Sequence, residues 1–581
     1  MKRLRLMSVL LSLFTALCMA ASCANTSADS QSTPPPATDT AAEPPSEKPT
    51  AEEPPADQTE APADGRLDML GKIVKFDPPI DLSWSVVVSA VQQFKDGDTY
   101  EDNIWSRKYL EDLGINLTVA FSADGTTNAY NDKLNMQLAS GDLPDIIHTY
   151  QYPFFRQAYD AGYIADITDV YAEYASDYLL ECQRLYPGSF DYTSFDRRLH
   201  GISFFNDNRA GGIMLWIRDD WLENLNLKAP TTMEELYDLA YAFTFNDPDG
   251  NGVDDTFGLG LNKDLLSDYA SLYGIFNGFG VPGEPYLYYR GADGKITANY
   301  LEPGVKDALA FTNRLYSNGL IDPEFTVKDN TVIQEDITAG RIGMAFGRQW
   351  GTWLPWNLVL QADDVVSRAY PIPAAEGFDV RVGIANDAGG EIFCLNSEVE
   401  HPEAFVMMCN VFSSVYNMWM TPETSSKYAD DEQYRFSPVV LTEPQEPLWA
   451  PLIWDALRSG NSDNLPARLL NHYTKVKGFE DGSMRDSEAY GLWGQYTIGG
   501  SVDISLSDYE ANGKLVQNII GARQPEILND YASILEDMTK QAFTEVILTG
   551  DLSKVDSYWE NWKGAGGQQV LDELEILYPA N

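Results

Sequence analysis

Residues Ile213–Ile217 read IMLWI, an uninterrupted apolar run rich in strand formers with no polar side to turn toward water. A strand of this kind is buried on both faces, so its sheet must be covered on both sides. The covering elements follow at once. Asp219 and Asp220 put carboxylates at the positive end of a helix in which Trp221, Leu222 and Leu225 recur at helical spacing. Pro230-Thr231-Thr232 then opens a second helix, with Thr231 or Thr232 as N-cap, Glu234 and Glu235 in the first turn, and Leu236, Leu239 and Ala240 on one face.

The same alternation fills the preceding part of the chain. Asp81–Val88 reads as a strand, Trp105–Leu113 as a helix, Asn116–Ala120 as a strand and Asn131–Ser140 as a helix. Then come a short buried strand ending at His148 and an amphipathic segment from Phe155 to Tyr163. This order predicts an α/β fold with parallel sheets covered by helices. The part beyond the N-terminal region, roughly 500 residues, is too long for one core and should form at least two domains.

After the second helix the sequence runs Asp247-Pro-Asp249-Gly-Asn251-Gly252-Val253-Asp254-Asp255. Oxygens at alternate positions can converge on one hard cation if the loop coils sharply, and Gly252 stands where the sharp turn is needed. By analogy with a calcium loop, the side chains of Asp247, Asp249, Asn251 and Asp255 and the carbonyl of Val253 would hold Ca²⁺. Gly258 occupies the position of the usual bidentate Glu, so the loop reads as a structural staple rather than a sensor.

Residues 1–22 combine Lys2, Arg3 and Arg5 with an apolar run from Leu6 to Ala21, the form of an export signal. Small residues Ala20, Ala21 and Ser22 precede Cys23, as in a bacterial lipobox, which would make Cys23 the lipidated first residue at the outer face of the cytoplasmic membrane. Residues 23–70 are rich in Pro, Thr, Ala, Ser and acidic residues and cannot bury a core. At about 3 Å per residue, this tether could hold a folded part up to ~100 Å from the membrane. No later segment has the ~18 uninterrupted apolar residues of a membrane span.

The formal net charge of −47 argues against nucleic acid, whose phosphates demand clustered Lys and Arg. Past Cys23 only Cys182, Cys394 and Cys409 remain, which predicts no disulfide framework. Catalytic signatures are also missing: no HExxH, GxSxG or P-loop, and four His without paired spacing. Gly278-Phe-Gly280-Val-Pro-Gly283 matches GxGxxG formally, but Pro282 makes it an ordinary loop. A glycosidase pair of carboxylates is defined by separation in space, so a secreted calcium-dependent polysaccharide-active enzyme is the competing class.

In order along the chain stand LASGDLPDII, GYIADITDVYAEYA, RRLHGISFF, LWIRDDWLENLNLKAPTTMEELYDLAYAF, DPDGNGVDDTFGLG, AGRIGMAFGRQWGTW and HPEAFVMMCNVF. This series resembles the family 1 extracellular solute-binding lipoproteins of bacterial ABC importers, in their long, calcium-loop-bearing, oligosaccharide-associated form. The resemblance implies a periplasmic-binding-protein-like fold of two discontinuous α/β lobes with the ligand in the cleft between them. It places lobe 1 at residues 71–205 plus 372–430, and lobe 2 at 206–371 plus 431–581. It also implies an oligosaccharide ligand, ABC permease subunits as partners, membrane contact through the lipid alone, and a monomeric, non-enzymatic receptor. A non-carbohydrate solute such as a peptide or metabolite is the alternative cargo.

An oligosaccharide cleft needs aromatic faces beside hydrogen-bonding groups. Three clusters have that composition: Tyr150-Gln151-Tyr152 after the buried strand; Trp350, Trp353 and Trp356 with Arg348 and Gln349; and Trp493, Gln495 and Tyr496 in a Gly-rich loop late in the chain. Sugar-stacking aromatics of maltose-type binding proteins occupy positions resembling Tyr150, Tyr152, Trp350 and Trp493. Asn206, at the expected first crossing between lobes, is a further cleft candidate. Trp216, Trp221, Trp559 and Trp562, inside apolar patterns, are expected in the core.

Overall fold

A computed structural model of the chain describes residues 68–579, apart from 89–93, 96, 126–128, 206, 387–389, 417–426, 429, 442–444 and 522–524. The signal segment, Cys23, nearly all of the tether, and Asn206 lie outside the described residues.

Two sheets organise the fold. The first has five strands in the order Ile115–Asp124, Ile80–Val88, Ile146–Thr149, Ile392–Leu395, Ile202–Ser203. Its first three strands run parallel, and Ile392–Leu395 returns antiparallel to Ile146–Thr149 and to Ile202–Ser203. Alternate residues feed two apolar layers. Trp84, Ile146 and Phe393 pack with Trp105, Tyr109, Phe405 and Phe412 on one face, and Phe121, Ile147, Ile392 and Cys394 pack with Phe155 on the other. Burial on both sides explains why short runs such as IIHT and IFCL carry no polar alternation.

In the second sheet, Ile213–Arg218 lies between Ser367–Tyr370 and Ile342–Arg348, with Phe257–Leu259 at the edge. All six residues of Ile213–Arg218 are buried, as the apolar run predicts. Both its neighbours are antiparallel to it, and only Ile342–Arg348 and Phe257–Leu259 pair in parallel. The expectation of wholly parallel sheets is therefore corrected: the chain enters this sheet from the other lobe rather than through a local crossover, so no βαβ handedness fixes its direction. The helix Met233–Phe245 starts at Thr232, whose hydroxyl accepts from Glu235 N at 3.2 Å, while the Glu235 carboxylate accepts from Thr231 N (2.7 Å) and Thr232 N (3.2 Å). Trp216, Trp221 and Trp562 are buried in this second core, against which Trp559 packs half-buried.

Packing also corrects the lobe limits. Ile372, Ala375, Val380 and Val382 belong to the second core, and Val382–Ile384 pairs with Leu515–Gln517. The chain is thus still in the second lobe at Ile384 and is back in the first sheet at Ile392, so the return does not fall at residue 372. Phe436, Val439 and Leu441 stay in the first core, where Trp105 Nε1 donates to Gln433 O at 2.9 Å and Tyr109 and Ser437 share a hydroxyl hydrogen bond of 2.8 Å. The last passage, expected near residue 431, thus lies between Leu441 and Trp449. Buried side chains rather than turn residues set these limits, and Cys182, Cys394 and Cys409 are buried within them.

Candidate functional site

The carboxyl ends of the first sheet's parallel strands hold a pocket lined by Trp84, Val87, His148, Tyr150, Glu391, Phe393, Arg435 and Ser437 among others. Strand register assembles it. His148 lies opposite Phe393, their rings stacked 4.7 Å apart at 13°, and the chain just beyond the next pair, Thr149 and Ile392, places Tyr150 and Glu391 at the same pocket. His148 Nε2 lies 2.7 Å from Glu391 Oε2 but has no aligned hydrogen-bond partner. Trp84, 4% exposed, has an indole N–H that is buried and unpartnered. Tyr150 is 48% exposed, with its ring 4.7 Å from that of His148. Burial, followed by the Glu391 carboxylate, pushes its hydroxyl above the usual phenol range, against the opposing charge of Arg435. The pocket offers aromatic faces, one carboxylate acceptor and several donors, the inventory for holding a hydroxyl-rich solute.

Of the first predicted cluster, Tyr150 alone lines this pocket. Gln151 precedes the helix Tyr152–Asp160 without a side-chain cap bond, and Tyr152 stacks on Tyr192 at 5.0 Å. Trp84, His148, Glu391 and Arg435 were missed in the sequence. The placement of Trp84 and His148 on buried strands beside the predicted Tyr150 was a readable signal for two of them, whereas Glu391 and Arg435 arrive from distant segments.

On the second lobe, Ile342–Arg348 ends in a buried ion-pair cluster. Arg348 donates to both Glu284 oxygens at 2.7 and 2.9 Å and to Asp268 at 3.1 Å. Burial disfavours its charge, but Glu284 and then Asp268 outweigh that and raise its pKa. Burial likewise pushes the Glu284 carboxyl up, with Arg348 opposing. Trp350 just beyond is half-buried against the second core, and Trp356 is buried in it. Trp353 is 37% exposed and donates through Nε1 to Gln495 Oε1 at 2.7 Å, which brings the second and third predicted clusters together.

The remainder of the third cluster is corrected. Ser487–Tyr496 is a helix rather than a Gly-rich loop, with Trp493 5% and Tyr496 2% exposed. Its glycines serve close approach: a Cβ on Gly491 would sit 2.6 Å from the Trp353 ring, and one on Gly494 2.2 Å from the Thr352 side chain. Trp493 packs between Phe479 and Tyr490 with the Arg368 guanidinium 4.8 Å away, and Trp454 Nε1 donates to Tyr496 O at 3.1 Å. Both are core residues, not ligand faces.

In the acidic loop, Asp247, Gly250 and Gly252 take positive φ of 50°, 68° and 77°. Gly252 N donates to both Asp247 oxygens (3.2 and 3.1 Å), and Val253 N donates to Asn251 Oδ1 at 2.7 Å. Asp249 Oδ2 and Asp255 Oδ1 converge on the Asn251 amide nitrogen at 2.7 and 3.3 Å. Among the described residues no three His, Cys, Asp or Glu groups gather closely enough to hold a metal by themselves. The oxygens of this loop are the kind of donor a hard cation takes, but in this structure the Asn251 amide nitrogen stands between Asp249 and Asp255 and its Oδ1 accepts from Val253 N. Gly258, at the missing Glu position, faces the Ala240 backbone, where a Cβ would come within 2.3 Å of the carbonyl oxygen. Helix packing therefore forbids a side chain there.

The profile described as bacterial extracellular solute-binding protein matches residues 92–406. The chain belongs to that family. The polygalacturonan/rhamnogalacturonan-binding protein YtcQ of Bacillus subtilis is 31% identical over 274 residues, 47% of this chain and 50% of that protein. The fructooligosaccharide ABC transporter substrate-binding protein FusA of Streptococcus pneumoniae is 27% identical over 208 residues, 34% of this chain and 38% of that protein. The chain spans half or less of the length of the curated relatives it matches. Among solved structures, an extracellular solute-binding protein from Bifidobacterium longum subsp. infantis superposes with a TM-score of 0.60 at 17% identity, covering 86% of this chain and 98% of that one. FusA with kestose superposes at 0.56 and 19% identity, covering 85% and 97%. These likenesses show the two-lobed solute-binding fold. Among the described residues no helix is long and apolar enough to cross a membrane.

Proposed function

We propose that this protein is a lipid-anchored, non-catalytic receptor that captures an oligosaccharide and delivers it to an ABC-type permease. The observation that carries the reading is the pocket at the first sheet's strand ends, where Trp84, His148, Tyr150, Glu391 and Arg435 combine stacking faces with unsatisfied polar atoms. Ligands of open α/β sheets bind at the carboxyl ends of strands, where this pocket lies. YtcQ and FusA, both described as binders of sugar polymers or oligomers, support a carbohydrate cargo. Cys23 would carry the lipid, and the acidic tether would span the cell wall. Ca²⁺ held by Asp247, Asp249, Asn251, Val253 and Asp255 would brace the loop between Met233–Phe245 and Phe257–Leu259. The receptor would act as a monomer, since one chain supplies both lobes.

The test is calorimetric titration with a panel of oligosaccharides, followed by recovery of the bound sugar. Binding near micromolar Kd, about −8 kcal/mol, with a negative heat-capacity change and chemically intact sugar is expected. Turnover above background, or tighter binding of peptides than of any sugar, refutes the proposal.

A further inference from the structure

We infer, on the reading of the protein as an oligosaccharide receptor, that the strand-end pocket selects an uncharged sugar ring and discriminates against uronates. Glu391 projects into the pocket beside Tyr150 and 2.7 Å from His148, so an acceptor-only group already occupies the polar wall. A sugar hydroxyl can donate to it, whereas a second carboxylate can only repel it. The pocket's guanidinium, Arg435, lies over the Tyr434 ring at 5.0 Å, so a carboxylate entering the pocket meets the Glu391 carboxylate as well as this one cation.

Two arginines of the second lobe and of the passage into it have their forks occupied. A uronate carboxylate is best recognised by a bidentate guanidinium, and Arg348 already spends its fork on Glu284 at 2.7 and 2.9 Å and its Nε on Asp268 at 3.1 Å. Arg209, on the passage between lobes, is likewise held by Asp207 (2.8 and 3.0 Å to Nε) and by Glu510 (2.7 Å). What the pocket lacks is an acceptor for Trp84 Nε1, a buried donor without a partner. A neutral ring satisfies both demands together: a hydroxyl donates to Glu391, a neighbouring oxygen accepts from Trp84, and the C–H face lies on Tyr150.

The experiment compares matched pairs on the full chain: α-1,4-linked trigalacturonate with its carboxyl-reduced galactose counterpart, and glucuronate- with glucose-containing trisaccharides of one linkage. Titrations are run at two salt concentrations for wild type and Glu391→Gln, with melting curves confirming the fold. In any configuration that binds, the neutral member should bind at least tenfold tighter, and Glu391→Gln should narrow the gap by admitting the acid. An acid that binds as tightly as its neutral partner, or a gap that Glu391→Gln leaves unchanged, overturns the inference while the receptor reading stands. Silence across all pairs and a broader neutral panel overturns the receptor reading, and the selectivity with it.

Discussion

Trp493 and Tyr150 make opposite forecasts, and one pair of alanine variants separates them. Trp493 is 5% exposed, wedged against Phe479 (4.9 Å between ring centroids) and Tyr490 (6.0 Å), with the Arg368 guanidinium 4.8 Å from its ring. Truncating a buried Trp loses its transfer free energy and leaves a cavity that fixed neighbours fill only in part, about 3 to 5 kcal/mol. Loss of the cation contact adds about 0.5 to 1 kcal/mol. Trp493→Ala should therefore lower unfolding free energy in urea by about 4 kcal/mol at unchanged m-value, while folded protein at low temperature keeps its ligand affinity within about threefold. Tyr150, 48% exposed at the pocket, should behave in reverse: stability within about 1 kcal/mol of wild type, and affinity reduced by about 1 to 2 kcal/mol, roughly five- to thirtyfold. The assays are urea denaturation followed by circular dichroism and calorimetric titration of the same preparations. A Trp493→Ala protein of near-native stability that binds tenfold more weakly would refute the assignment of this residue to the core.

If Asp247, Asp249 and Asp255 share an ion, Ca²⁺ at a hundred times its Kd should add about 2.7 kcal/mol of stability. Chelation should then lower Tm and Asp249→Ala should abolish the response, whereas chelator-insensitive melting counts against the site. His472 supplies a pH test: burial, then the nearby Arg468, pushes its imidazole down to about 3. The unfolded chain takes up a proton near pH 6.5 that the folded ring refuses, so this contribution is present above that pH and is lost as pH falls toward the folded value, at up to about 1.4 kcal/mol per pH unit. Denaturation at pH 7 and pH 5 should show a steeper loss in wild type than in His472→Gln, and equal slopes refute the assignment. Cys23→Ala should release the protein into the medium, and a variant retained in the membrane fraction argues against lipidation.

How much was legible depended on whether a signal was local. The strand Ile213–Arg218, the Thr232 capping box and the helix Ile104–Leu113 are written in adjacent residues, and each forms where its pattern predicts. Tyr150 was legible because a polar aromatic directly after a buried strand must lie at its carboxyl end. Trp493 was not, because GLWGQY reads equally as a glycine-rich ligand loop or as a helix thinned to receive Trp353, and only residue 353 itself decides between them. Glu391 and Arg435 were illegible for a related reason: each sits in an unremarkable segment and gains meaning from a strand more than 200 residues earlier in the chain. The expected lobe limits differ by ten to twenty residues from the packing at the second and third passages, since polar connecting segments look alike whichever core their apolar neighbours enter.

Those connecting segments bear on how a receptor of this kind could close. Each lobe has its own apolar layers, and several contacts between the passages and across the lobes are polar. Asn208 Nδ2 donates to Asn386 O at 2.9 Å, Asn386 Nδ2 donates to Asn518 O at 3.0 Å, and Arg468 Nη1 donates to Tyr416 O at 2.7 Å. Arg468 also lies 4.6 Å from the rings of both Tyr416 in the first lobe and Trp449 in the second. Hydrogen bonds of this type exchange for water at a net cost of only about 0.5 to 1.5 kcal/mol each. Rotating one apolar core against another would instead expose surface at about 25 cal/mol per Å². A joint made of exchangeable polar contacts leaves each core intact while the angle between lobes changes, so a modest ligand affinity suffices to bias it.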